Sequence, residues 1–144
     1  MHKLVPQIQQ GIKIPIIHIA KATAEELKEK NIKKVALLGT KYTMTQRFYI
    51  DCLEKEGIEV LIPEEKDIEL VNHVIFDELC LGNVLESSKR EYLRIIGELE
   101  SKGAEGVILG CTEIGMLIQQ KDTQLPVFDT TIIHARKAAN VALK

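Results

Sequence analysis

Gly110-Cys111-Thr112-Glu113 brings a thiol, a hydroxyl and a carboxylate together within four residues. An ionised thiol is a nucleophile or a general base, and in its neutral form it can return a proton. A neighbouring hydroxyl can hold the carboxylate of a small acid. Val107-Ile108-Leu109 is a short apolar run led by Gly106 and stopped by Gly110, the pattern of a buried strand. Ile114, Leu117 and Ile118 then recur at helical spacing. Cys111 is therefore expected at the carboxyl end of a strand and just before a helix. Ligands of open α/β sheets bind at that edge. The first turn of a helix offers unpaired N–H groups and a positive dipole end, so anions are favoured there and a thiol pKa is expected to fall. The competing reading is a small, buried, apolar cysteine.

A second stretch repeats the device. Val35-Ala36-Leu37-Leu38-Gly39-Thr40 matches Val107-Ile108-Leu109-Gly110-Cys111-Thr112 as strand, glycine, then small donors at the mouth of a helix. Side by side, the two edges would make a crevice for a small anion. Thr40 and Thr43 could bind a carboxylate there or cap the next helix. Glu113 could support the thiol or complement the helix dipole. Lys41 could attract a second carboxylate. Neither turn has Walker spacing, and no GxGxxG occurs.

The elements that position these residues alternate. Met1–Gly11 reads as a helical piece with Leu4, Val5 and Ile8 on one side. Ile14–Ile19 reads as a β-branched strand. Thr23 with Glu26 forms a capping-box pattern for a helix to about Lys30, with Asn31 as its stop. Val35–Leu38 is the next strand. Met44–Glu56 reads as one helix closed by Gly57, and Val60–Ile62 as a strand. Asp67 is placed to cap a helix to about Leu81, with Gly82 at its end. Ser88 and Glu91 suggest a second capping box, with Leu93, Ile96 and Leu99 inward and Gly103 as the stop. After the Cys111 unit come strand Val127–Asp129 and a last helix capped by Thr130 or Thr131. Strands alternating with helices imply crossover connections. The expected class is α/β, three-layered, on a mainly parallel sheet.

Composition narrows the options. The chain has 144 residues, 19 basic and 21 acidic, a net charge of −2 and no Trp. That length allows one sizeable core. No basic stripe argues for nucleic acid, and no aromatic platform for single strands. No apolar run has transmembrane length, and Met1–Gln10 has no signal-peptide core, so neither membrane nor export is expected. Three irregularly spaced cysteines fit a reducing cytoplasm. Cys52 and Cys80 read as core. His18 could face the crevice from a strand end, and His134 could do so from the last helix; either could equally be a structural hydrogen-bonder. His2 and His73 read as surface. No His/Cys spacing suits a metal, so none is assigned.

Together these residues resemble the aspartate/glutamate racemase family. The resemblance is carried by Leu38-Gly39-Thr40, Tyr42-Thr43-Met44, Phe48-Tyr49, Val71-Asn72, Glu78-Leu79 and Gly82. It is carried further by Gly103–Ile114, Phe128-Asp129-Thr130-Thr131 and His134-Ala135. The resemblance implies a cofactor-independent enzyme of two similar α/β lobes. Each lobe supplies one cysteine, on opposite faces of an acidic amino acid: one thiolate removes the α-proton and the other thiol returns one. Cys111 would be the second-lobe acid/base, Thr112, Thr40 and Thr43 the carboxylate holders, and Glu113 the support of the thiol. Residues 32–124 would form the second lobe, and 1–31 with 125–144 would belong to the first.

Relatives carry their first catalytic cysteine in a Cys-Thr-Asn-Thr segment followed by Met-His, and this sequence begins Met1-His2. The expectation is a chain lacking that thiol and impaired alone. It would be a fragment, a degenerate protein, or one partner of a separate first-lobe polypeptide. The alternative is a non-catalytic module that binds small acids or partners. Its sticky surface would include Ile14, Ile16, Ile132 and Ile133, and it would form homo-oligomers or depend on a partner.

Overall fold

The computed structural model describes residues 4–143. Four parallel strands form one sheet: β1 (Lys34–Leu38), β2 (Glu59–Leu61), β3 (Val107–Leu109) and β4 (Val127–Asp129), in the order β2-β1-β3-β4. In register, Leu38 lies opposite Leu109, and Leu109 opposite Asp129. Successive residues Val35 to Leu38 and Val107 to Leu109 are all buried. Alternate side chains point to opposite faces of a sheet, so unbroken burial means that both faces are covered. The α/β architecture matches expectation.

Among the described residues, eight α-helices accompany the sheet: α1 (Val5–Gly11), α2 (Ile19–Glu29), α3 (Lys41–Thr45), α4 (Arg47–Glu54), α5 (Glu65–His73), α6 (Glu86–Ser101), α7 (Ile114–Leu117) and α8 (Thr130–Ala142). The stops at Asn31, Gly57, Gly82 and Gly103 all have positive φ, as the sequence predicts. Helix α6 buries Tyr92, Ile95, Ile96 and Leu99, while Leu93 is only half-buried.

Ile14–Ile19 is not a strand. Residues 12–18 run without regular structure, and Ile19 opens α2. A strand needs a ladder partner, and here one side chain substitutes for it. Gln9 Nε2 donates to the carbonyls of Ile12 (3.2 Å) and Ile14 (3.1 Å), and its Oε1 accepts from Ile16 N–H (2.8 Å). Pro15 has no N–H to contribute. The carbonyl of Ile17 is met by His134 Nε2 at 2.8 Å.

Several helix starts also differ from expectation, because the hydroxyls and carboxylates named as caps have tertiary partners. His18 Nδ1 caps α2 by accepting from Ala20 N–H. Thr23 lies inside that helix, donates to the Ile19 carbonyl, and receives the Tyr49 hydroxyl. Asp67 lies within the first turn of α5 and pairs with Arg94 at 2.7 Å. Ser88 lies inside α6 and donates to the Glu78 carboxylate. Asp129, rather than either threonine, caps α8 by accepting from the Thr131 and Ile132 N–H groups. Thr130 is buried and donates to the Leu109 carbonyl at 2.9 Å, tying α8 to β3.

Two expected single helices are interrupted. Gln46 is extended and separates α3 from α4. Just before it, Thr45 Oγ1 back-bonds to the Lys41 carbonyl, a contact that bends helices. Beyond α5, residues Val74–Glu78 form a π-helical turn, and Leu79–Leu81 tighten to a 3₁₀ turn before Gly82.

Candidate active site at the β1 and β3 edge

From β1 the chain crosses to β2 on one side, and from β3 it passes to β4 on the other. The carboxyl ends of β1 and β3 therefore flank the topological switch point, where the two crossovers diverge and open a crevice. The two repeated turns meet there. Gly110 N–H donates to the Leu38 carbonyl at 2.7 Å. A Cβ on Gly110 would lie 3.0 Å from that carbonyl oxygen and 3.6 Å from Thr43 Cγ2. A Cβ on Gly39 would lie 3.3 Å from the Thr43 side chain and 3.6 Å from the Gly110 carbonyl. The side-by-side placement expected from the repeat is present, and both glycines allow the close approach.

On the β1 side Thr40 is the N-cap of α3. Its hydroxyl accepts from Thr43 N–H at 3.3 Å and lies 3.1 Å from Thr43 Oγ1. Both threonines are half-buried. Capping thus occupies part of their hydrogen-bonding capacity, and the remaining lone pairs and hydroxyl rotors stay at the edge. Lys41 is committed elsewhere: its ammonium pairs with Glu69, and its N–H donates to Asn72 Oδ1 at 2.8 Å.

On the β3 side Cys111 is half-buried, and its Sγ donates to Glu113 Oε2 at 2.8 Å. Thr112 is exposed beside it, and its hydroxyl helps to lower the Glu113 carboxyl. Burial pushes the Cys111 thiol up to about 12, and the carboxylate of Glu113 adds to the rise, while the Glu113 N–H opposes it. Glu113 moves the other way, below the usual carboxylate range, chiefly because the Cys111 thiol donates to it. The expected lowering of the thiol is therefore overturned. Helix α7 is one turn of four residues, too short for an appreciable macrodipole, and its N-cap is the anionic Glu113. At rest the site holds a neutral thiol against a carboxylate, an arrangement that stores a proton on sulphur.

The 3₁₀ turn Leu79–Leu81 packs against α7. Cys80, on that turn, is exposed rather than core, and its charge would raise Cys111 further. Tyr92 is fully buried, donates to the Val71 carbonyl at 3.0 Å, and senses the charges of Cys111 and Glu78. Neither neighbour is legible in the sequence, because both come from elements distant in the chain. Cys52 is half-buried on α4, away from these groups. His18 and His134 serve the Ile12–His18 segment and α2, as structural hydrogen-bonders. His73 is exposed and pairs with Asp77; His2 lies outside the described residues. Among the described residues no cluster of His, Cys, Asp or Glu could hold a metal, and no helix is long and apolar enough to cross a membrane.

Residues 1–138 match the Asp/Glu/Hydantoin racemase family. The chain belongs to this family. It is similar to the broad specificity amino-acid racemase RacX of Bacillus subtilis, with 24% identity over 99% of this chain and 61% of the relative. A glutamate racemase of Persephonella marina is 26% identical over 97% of this chain and 52% of its own length. Among solved structures, a Yersinia pestis protein provisionally assigned as an Asp/Glu racemase superposes with a TM-score of 0.96 at 50% identity. It is covered over 63% of its length, and this chain over 100%. An aspartate racemase homologue from Pyrococcus horikoshii superposes at 0.93 with 42% identity, over 99% of this chain and 63% of that one. The chain thus spans roughly three fifths of the length of these family members.

Proposed function

We propose that Cys111 is one of two acid/base thiols in cofactor-independent racemisation of an acidic amino acid, aspartate or glutamate. The observation that carries this reading is the Cys111 Sγ to Glu113 Oε2 hydrogen bond of 2.8 Å at the β1/β3 switch point, beside Thr40 and Thr43. In the donor direction the Cys111 S–H bond breaks and its proton joins the α-carbanion, leaving a thiolate. In the acceptor direction the thiol first gives up its proton to solvent, because Glu113 is too acidic to keep it, and the resulting thiolate then removes the substrate α-proton. Either step needs the carbanion stabilised by fixed donors, a role that suits the hydroxyls of Thr40, Thr43 and Thr112 on the substrate carboxylates.

Inversion needs a second thiol on the opposite face, and neither Cys52 nor Cys80 is assigned that role. In this reading residues 32–124 act as the second lobe. Residues 1–31 and 125–144 act with a first lobe that supplies the other thiol. Family members longer than this chain support it. The 144-residue chain alone is expected to show little or no inversion of L-aspartate or L-glutamate by chiral chromatography. One-sided exchange at the α-carbon in D₂O, read by NMR, is expected at a low rate and is lost in Cys111→Ala. Exchange or inversion undiminished in Cys111→Ala overturns the proposal.

A second reading, a non-catalytic binding or interaction module, is favoured by one observation. Ile14 is 76% and Ile132 55% exposed, with Leu4, Ile8 and Ile12 also open. Of the other expected surface residues, Ile16 is half-buried and Ile133 buried, so they contribute less. This reading predicts self-association in light scattering; a clean monomer with low binding of hydrophobic dyes counts against it.

A further inference from the structure

The proposed mechanism leaves Cys80 unused, although the fold carries it to the neighbourhood of Cys111. Helix α5 does not continue as an α-helix. Val74–Glu78 form the π-helical turn and Leu79–Leu81 the 3₁₀ turn, which Gly82 ends at φ +80°. Single π-helical turns recur at functional sites. Leu79 anchors the 3₁₀ turn in the core, as Ile114 and Leu117 anchor α7. The two elements approach within 8 Å, Cα to Cα.

Both thiols stand on backbone that can adjust. Cys80 lies in the 3₁₀ turn, whose hydrogen bonds are poorer than those of an α-helix, and Cys111 lies in the bend between β3 and α7. A disulfide spans Cα atoms roughly 4–7 Å apart, a separation within reach of a small shift of either turn. An ionised Cys80 raises the Cys111 thiol, and the buried Tyr92 hydroxyl feels both Cys111 and Glu78, on the same stretch as Cys80. Cys52 acts instead on Tyr49, on its own helix α4. The two neighbouring thiols differ in state. Cys111 is half-buried with its proton held by Glu113, whereas Cys80 is exposed and, among the described residues, its thiol makes no hydrogen bond. An oxidant in solution therefore meets Cys80 first.

We propose that Cys80 is a site of oxidation by hydroperoxides and that it passes this oxidation to Cys111 as an intramolecular, reversible Cys80–Cys111 disulfide. The Cys80 thiolate attacks a peroxide oxygen, the O–O bond breaks, and Cys80 becomes a sulfenic acid while hydroxide leaves and is protonated to water. The Cys111 sulphur then attacks the Cys80 sulphur. The S–O bond breaks, and the departing hydroxide leaves as water with the Cys111 proton. Two thiols and one peroxide become one disulfide and two waters. Formation of the link does not depend on the racemase reading of Cys111; under that reading it also removes the acid/base thiol from use until a dithiol reduces it.

The test treats the 144-residue chain with an equivalent of hydrogen peroxide, blocks remaining thiols with N-ethylmaleimide, and maps tryptic peptides without reduction by mass spectrometry. Peptides 67–89 and 103–121 carry Cys80 and Cys111, and peptide 48–55 carries Cys52 as the internal reference. The expected product is 67–89 joined to 103–121, lighter than their sum by two hydrogens, with 48–55 left as a blocked thiol. Its yield should not change on about tenfold dilution of the chain, as an intramolecular reaction requires. Dithiothreitol should restore both thiols, and Cys80→Ser should leave 103–121 unlinked while circular dichroism stays unaltered. Both thiols remaining free overturns the proposal. So does Cys80 passing to sulfinic acid with Cys111 still free, a yield that falls on dilution, or a link from Cys111 to Cys52 of equal yield. Exchange of the substrate α-proton is read separately. Its persistence in the linked chain counts against the acid/base role of Cys111, and the peptide map alone judges the disulfide.

Discussion

The two turns at the sheet edge are built to one plan and end in different chemistry. After β1, Gly39-Thr40 leads into α3, and the threonine is used as a helix cap. After β3, Gly110-Cys111 leads into the single turn α7, which has no side-chain cap. Its thiol is bound instead to a carboxylate two residues on. In the first turn the ionisable Lys41 pairs outward with Glu69, whereas the second turn couples a thiol and a carboxylate to each other. A hydroxyl that caps a helix is held in place by the backbone, and a thiol that does not cap anything keeps its proton available. Under the proposed function, the first turn would position the substrate and the second would transfer the proton.

The largest test of that contrast is steric. Gly110→Ala would press a methyl group against the Leu38 carbonyl at 3.0 Å and Leu37 Cδ1 at 3.3 Å. It should destabilise the fold by about 1–3 kcal/mol in urea denaturation, as overpacking does. Gly39→Ala meets Thr43 Cβ and Cγ2 at 3.3 Å and the Gly110 carbonyl at 3.6 Å, an approach looser than that of Gly110 to backbone. Its cost should be under about 1 kcal/mol. Equal costs would mean that the two turns are not packed as differently as their neighbours imply.

Next comes the proton on sulphur. Glu113→Gln removes the charge that helps to raise Cys111, so the thiol should fall from about 12 toward the ordinary cysteine value of 9.0 without reaching it, since burial remains. Alkylation of Cys111 at mildly alkaline pH should accelerate about tenfold for each unit of that fall. A variant thiol no more reactive than the parent would remove Glu113 from the proton balance.

Smaller again is the cap. Thr40→Ala should cost about 1 kcal/mol, and Thr40→Ser much less, because serine restores the accepting oxygen. If Thr40→Ala is neutral in denaturation yet weakens aspartate binding, the hydroxyl belongs to the ligand rather than to α3.

The mildest test is pH. Glu113 has a folded pKa below its ordinary 4.5, so the stability it lends its turn is fully present above 4.5 and lost as pH falls through the lowered folded value. Chemical shifts of residues 110–114 should change on acidification before those of residues 39–43. Asp67 follows the same sign, since its hydrogen bond to Arg94 lowers it from 3.8, but it titrates at α5, away from either turn. Simultaneous change at both turns would mark global acid unfolding instead.

Much of this was readable from residue order because it depends on local physics. The apolar runs at Val35–Leu38 and Val107–Leu109, the positive-φ stops at Asn31, Gly57, Gly82 and Gly103, and the strand–glycine–donor repeat each need only neighbouring residues to be recognised. Parallel pairing follows from alternating strands and helices. The failures share one cause. Thr23, Asp67 and Ser88 stand at capping spacings, yet Tyr49, Arg94 and Glu78 claim their polar atoms. Ile14–Ile19 has strand composition, but a strand is completed by its neighbour, and here Gln9 supplies the hydrogen bonds instead.

The same division runs through the site. Residue order alone determined that a thiol, its hydroxyl neighbour and Glu113 stand where a buried strand ends, and that a matching turn follows β1. Tertiary structure alone decided that the two turns touch, that Cys80 and Tyr92 lie close to the thiol, and that the thiol is held neutral. A pKa depends on burial and on charges brought from distant parts of the chain, and local spacing carries neither.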